Sequence, residues 1–594
     1  MLKPFDTLLR ALRVRFYKRI YTRLRLVFAH PLRSGAFVFG KISNALLLFL
    51  LGGRLRKSKN FREKTCKFLG GGYFRAIKFQ IKRKKRSPMK LENLIKCAIA
   101  GVAALSASTL FAQSTTYWTG NEAATSNGAT SASNTGNYST GTLPDSTTDL
   151  VFDAAHLTGE KTLSPLFDTD TTYNVRDFTI AEGYGSMLNA RFGVSSRLNI
   201  AGNFNILSRA SHRFFFNSAG TDDKVPGIDV VGNLNVGSAE YAGSTSIALY
   251  FSAGHGNGKS GWGPVNLNIG GDAVFYSYVN AYFGGSDIDP KTFNSRTFDV
   301  AAAQVKIGGV MNLAGKGGTD NPNVYLVYRS QAGASDIPAS TVNVVSADGL
   351  IGNGKVTGYG DGQNSYTGVL MLTNSADRSF AGWVTDGQAK IGIIMDAINP
   401  DATQYVRGGL QSFTGGVTVR NGTLAINAYY NSYGKSSADT HGELIMAGGT
   451  FKTIENSTTS TCIFGFDSVE YSAGTIDLTI FGTTGSGLKL YSDSKSMFFL
   501  KDLGDDVQFL FNLAAGGEAD LTDGNYYRIV EWNVKADYNG DRFAANKIGD
   551  FNAEFDVRDD GLYVRYVNAV PEPATYAALF GLFAMALVAY RKRR

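Results

Sequence analysis

A short unit returns through the middle of the chain, and it constrains the fold more than any other feature. It reads LNIAGNFNI (Leu198–Ile206), IDVVGNLNV (Ile228–Val236), LNIGGDAVF (Leu267–Phe275) and VKIGGVMNL (Val305–Leu313). Apolar residues alternate with polar ones, a glycine corner intervenes, and alternation resumes. The corner glycines Gly202, Gly232, Gly271 and Gly309 lie 30, 39 and 38 residues apart. A second set follows in VTVRNGTLAI (Val417–Ile426), LIMAGGTFKTI (Leu444–Ile454) and VEYSAGTIDL (Val469–Leu478), with Gly422, Gly449 and Gly474 spaced 27 and 25. Period-two alternation means strands with one buried face. Glycine at each corner is expected to supply a positive φ. One such unit cannot bury its apolar face alone, so units must stack.

The fold class that follows is all-β: a β-solenoid, most simply a right-handed parallel β-helix, over 113–484. The competing arrangement, an antiparallel sandwich array, needs more regular two-residue hairpin turns than the chain provides. Composition agrees, with 69 Gly but 13 Pro in 594 residues, which suits many tight turns. NYYRIVEW (Asn525–Trp532), FNAEFDV (Phe551–Val557) and LYVRYV (Leu562–Val567) predict strands of a β cap over 485–567. Asp559-Asp560-Gly561 is a hairpin signal between the last two. A terminal hairpin would cover the open strand edges of a stack.

The formal charge of +9 hides an asymmetry. Residues 1–88 hold 24 Lys/Arg and 2 Asp/Glu, a net of +22, and residues 89–112 add +1, so the chain from Gln113 on carries 9 − 22 − 1 = −14. An acidic body argues against nucleic acid as a partner. Residues 89–112 (MKLENLIKCAIAGVAALSASTLFA) pair a basic start with a small-residue apolar run, the pattern of a secretory signal peptide cut between Ala112 and Gln113. Translation is therefore expected to begin at Met89, leaving residues 1–88 as a wrongly included upstream stretch; the rival is a basic arm that binds RNA or anionic lipid. Of Cys66, Cys97 and Cys462, only Cys462 falls in the mature body, so no disulfide framework exists. Within TSTCIFGF it reads as a small apolar core residue.

The last segment, 568–594, holds Pro571-Glu572-Pro573, an uncharged run from Ala574 to Tyr590, and a basic stop of Arg591, Lys592, Arg593 and Arg594. Seventeen helical residues (574–590) span roughly 25 Å, at the short end for a transmembrane helix. The cations would hold that end on the cytoplasmic side. Motif, helix and basic stop resemble the PEP-CTERM sorting signal of exported bacterial proteins. The resemblance implies Pro571, Glu572 and Pro573 as recognition residues for an exosortase-type processing enzyme, membrane lipid as partner of the helix, and an association with exopolysaccharide. SFTGGVTVRNGTLAIN (Ser412–Asn427) resembles the passenger-associated repeat of autotransporter β-helices. YWTG (Tyr117–Gly120) and TGNYSTGTLPDSTTDLVFD (Thr135–Asp153) look like the first rung of such proteins. The C-terminal membrane β-barrel of autotransporters has no counterpart in this sequence.

Chemistry is sparse. Parallel β-helices include polysaccharide lyases and hydrolases, which need carboxylates facing each other across a groove. Asp222-Asp223 and His255-Gly256 resemble part of the polygalacturonase pattern, but no Asn-Thr-Asp precedes and no Arg-x-Lys follows. Asp287 and Asp289 read as a loop. His156, His212, His255 and His441 lack metal-ligand spacing, and GNGKSG (Gly256–Gly261) lacks Walker spacing. Phe214–Phe216 and Ser277–Phe283 suggest internal aromatic ladders, or sugar-stacking rings. The expectation is a protein without enzymatic activity, cofactor or metal. It would cross the inner membrane of a Gram-negative-type bacterium and reach the cell surface or extracellular matrix as a structural or adhesion component, with polysaccharide a candidate partner. The alternative is a secreted β-helical lyase or glycoside hydrolase.

Overall fold

A computed structural model describes residues 114–593 except 122–129, 158–163, 217–224, 241–245, 254, 257–258, 261–264, 285–287, 289–290, 318–319, 329–339, 360–364, 409–413, 428–441, 455–463, 482–486, 493–496, 502–503, 505–506, 517–518 and 569–572. The alternating runs are strands, and successive repeats pair in parallel. Leu198, Ile228, Leu267 and Val305 stand in register on neighbouring strands and are all buried. Past the corner, Phe204, Leu234, Ala273 and Met311 form a second buried column. A coil such as Arg197–Ile200, Phe204–Ile206 and His212–Phe216 gives two strands to a 25-stranded sheet and a third to a nine-stranded sheet. The body is thus a β-helix-like parallel fold. Phenylalanines stack inside it from coil to coil. Phe167, Phe192 and Phe216 lie 4.5 and 4.9 Å apart, and Phe214, Phe251 and Phe283 lie 5.2 and 5.7 Å apart. Each such pair contributes about 0.5–1.5 kcal/mol beyond area burial.

The corners differ from the expectation in a way that explains the repeat. Gly202, Gly232, Gly271 and Gly309 do not adopt positive φ. Their role is space. The Asp177 side chain accepts a hydrogen bond from the Asn203 backbone N–H (2.6 Å), Asn203 from Asn233 (3.0 Å), Asn233 from Asp272 (2.8 Å) and Asp272 from Val310 (2.9 Å). Each accepting oxygen lies where a Cβ of the next coil's corner glycine would go. The second set follows the original reasoning: Gly422, Gly449 and Gly474 have φ of +78°, +55° and +105°.

Three strands break the alternation. Ser340–Ala347, Ser365–Leu372 and Lys390–Asp396 are buried on both faces over nearly all of their described side chains. Outside the main core, Val342, Val344, Val369, Met371 and Ile394 cluster with Ala303, and Phe293 and Phe298 pack on them. The segment 291–303 is a strap over this outer face. Arg420 pins it by donating from Nε to the Ser295 carbonyl and from Nη1 to the Phe298 carbonyl, both 2.8 Å.

Parallel pairing continues to Phe543–Ala545. A five-stranded sheet then ends antiparallel: Phe551–Arg558 and Gly561–Asn568 form a hairpin in which Arg558 faces Gly561 across Asp559-Asp560. Trp532 is buried beneath it and donates from Nε1 to the Arg558 carbonyl (3.0 Å). The only α-helix among the described residues, α1, is Pro573–Lys592. Proline suits its first position, where the missing N–H would have no helical acceptor. Among the described residues no helix is long and apolar enough to cross a membrane. The uncharged run from Ala574 to Tyr590 lies within this helix and measures roughly 25 Å against roughly 30 Å of hydrocarbon. The membrane-crossing helix expected over 574–590 is met as a helix, without a demonstrated span.

Candidate functional site

Of the residues singled out by motif, those described lie apart in separate elements. Ala112, Gln113, Pro571, Glu572 and Arg594 lie outside the described residues, as do Asp222, Asp223, Asp287, Asp289, His441 and Cys462. Pro573 opens α1, Arg591 and Lys592 occupy its last turn, and Arg593 follows it. His255-Gly256 forms a two-residue strand antiparallel to Lys259-Ser260. His156 stacks on Tyr117 with 3.6 Å between ring centroids and approaches Asp153 at 3.4 Å. His212 is fully buried, and its Nδ1 accepts the Leu188 N–H at 3.2 Å. Burial pushes its pKa down to about 4, so the ring is neutral at neutral pH. Among the described residues no cluster of His, Cys, Asp or Glu has the makings of a metal site.

An open groove of about 520 Å³ crosses the last parallel strands, lined by Thr450, Thr475, Asp477, Leu510 and Asn512 among others. Asp477 and Asn512 of its lining belong to a polar column set by register that begins at Lys452. Asp477 Oδ2 receives Lys452 Nζ at 2.9 Å and Asn512 Nδ2 at 3.1 Å. This is one carboxylate, already engaged, where glycoside hydrolysis takes two. Other carboxylates along the coils are likewise matched to cations: Asp348 with Arg378 (2.6 Å), Asp396 with Arg420 (2.9 Å) and Asp229 with Arg197 (3.2 Å).

The two aromatic runs divide by alternation. Phe214, Phe216 and Phe283 point inward into the ladders, whereas Tyr282 points outward. There it stacks on Tyr250 (4.6 Å, 8°) and on Tyr325 (4.3 Å, 6°). Tyr359 meets Tyr282 and Tyr325 edge-on, both at 6.0 Å, and Tyr328 fills the angle between them. Burial raises the Tyr282 and Tyr325 pKa values, so these hydroxyls stay protonated. Alternation in NVYLVY places Tyr325 outward, whereas Tyr328 joins it only through a bulge between the two, which alternation does not show.

α1 carries a second kind of surface. Leu579, Phe580, Leu582, Phe583, Met585 and Leu587 are all exposed, and cations follow. No protein-family model and no curated protein matches the chain.

Proposed function

We propose that the chain is an exported, non-catalytic surface or matrix protein, built as a stack of β-coils and addressed by its C-terminal segment. A signal peptide ending at Ala112 takes it across the inner membrane. The helix and its basic end then hold it at the lipid while an exosortase-type enzyme acts at Pro571-Glu572-Pro573. The observation that carries this reading is α1. A helix apolar on all sides and exposed on all sides is stable only where something apolar surrounds it. Arg591, Lys592 and Arg593 can reach into the headgroups, which lets a short apolar run lodge in the bilayer. The engaged carboxylates of the coils support a structural role over turnover of glycans.

The test replaces Pro571 and Pro573 with Ala and fractionates cells. The variant is expected to remain with the membrane fraction at full precursor size while the unaltered protein is processed and displayed. Identical processing and display of both would refute the sorting role.

A further inference from the structure

The nine-stranded sheet presents an outward face unlike the rest of the body. Its strands Thr130–Ser131, Pro165–Phe167, Asn189–Phe192, His212–Phe216, Ile247–Ala253, Val279–Phe283, Asn323–Tyr328, Lys355–Tyr359 and Trp383–Val384 contain no Asp or Glu. The chain from Gln113 on nevertheless has a net charge of 9 − 22 − 1 = −14. The same face carries Arg191, Arg213 and Lys355, of which Arg213 and Lys355 form no ion pair among the described residues. Arg213 extends over the Tyr250 ring, 5.4 Å from its centroid. Lys355 pairs in register with Trp383, which is 48% exposed. The carboxylates nearest in sequence are occupied: Asp168 accepts from Ser131 and Tyr173, Asp320 from Tyr278, and Asp386 from Thr414 and the Ile391 backbone.

Register arranges these groups as two neighbouring outward columns. One runs Arg213, Tyr250, Tyr282, Tyr325. The other runs Asn280, Asn323, Lys355, Trp383, with Asn323 Nδ2 donating to Asn280 Oδ1 at 2.8 Å. Stacked tyrosines spend their ring faces on each other, so what they offer outward is ring edge and a row of hydroxyls. Trp383 and Tyr359 keep surface for stacking. Hydroxyls and amides repeating at the strand spacing of about 4.8 Å, open aromatic surface, and unpaired cations at both ends suit a linear polyhydroxylated anion. A few separated cations (Arg191, Arg213 and Lys355) do not match the charge density of DNA, one negative charge per ~1.7 Å.

We propose that this face docks an acidic polysaccharide, a chain of uronate-type sugars laid along the two columns. Binding here goes beyond the sorting reading and is independent of it, since it is measured on purified protein. The chain beginning at Gln113, without the basic stretch of residues 1–88, is run in mild detergent through gels containing polygalacturonate, neutral amylose or no polymer. Retardation by polygalacturonate alone is expected, weakening as salt screens the charges. Arg213→Gln with Lys355→Gln should cut the affinity tenfold or more, and Tyr359→Ala with Trp383→Ala by a similar factor. Lys306→Gln, on the other sheet, should bind as the unaltered protein does. Urea midpoints of the variants establish that each is folded. Absence of retardation, equal retardation of all variants, or equal binding of double-stranded DNA would overturn the proposal.

Discussion

The β-coils and α1 treat apolar side chains in opposite ways. Phe178 and Phe204 in the coils are 0% exposed, whereas Phe580 and Phe583 in α1 are 75% and 72% exposed. The coils bury their apolar columns against one another. The described apolar side chains of α1 are instead exposed along its length. The difference separates two jobs. Substitutions in the coils should change stability and leave membrane association alone, and substitutions in α1 should do the reverse.

The largest effect expected in the coils is at the positive-φ corners. Gly474 has φ +105°, and a Cβ there would overlap the carbonyls of Gly448 and Gly449. Gly474→Val should cost about 3 kcal/mol or more in urea unfolding, with membrane partition of the folded fraction unchanged. Next comes His212. Its folded pKa of about 4 lies below the ordinary 6.5 because burial disfavours the charged ring. Between those values the unfolded chain binds a proton that the folded chain does not. The contribution is full above about pH 6.5 and declines as pH falls toward 4, by about 3 kcal/mol in all. His212→Asn can keep an acceptor for the Leu188 N–H and should flatten that part of the pH profile relative to the unaltered protein.

Smaller still is the corner ladder. Asn233→Ala removes the acceptor for the Asp272 N–H, and urea unfolding should show a loss of about 1 kcal/mol. The smallest effect on stability belongs to the tail. Phe580→Ser with Phe583→Ser should move the urea midpoint by less than about 0.5 kcal/mol of equivalent stability, yet release the protein from liposomes. If it destabilised the coils instead, the contrast between the two regions would fail.

Much of the stack was legible because period-two alternation survives wherever one face meets water. The columns through Leu198, Ile228, Leu267 and Val305 follow directly from it. It fails at Ser340–Ala347, Ser365–Leu372 and Lys390–Asp396, where the strap buries the outer face and apolar residues such as Val342, Val344, Val369, Met371 and Ile394 fall on the side that alternation would leave polar. The corner glycines were legible as corners, but not their reason. Nothing local shows that the Asn233 side chain will occupy the space beside Gly271, 38 residues onward. The tyrosine columns were hidden for the same reason: Tyr250, Tyr282 and Tyr325 become neighbours only through register between coils. The sorting motif was legible as a motif, and Pro571-Glu572 lies outside the described residues.

The most direct test of the central claim is the intact mass of the protein recovered from the cell surface. The account predicts a species that begins at Gln113, lacks α1 and its cations, and retains the whole stack of coils. A surface species that still carries α1, or full-length chain confined to the cytoplasm, would contradict it.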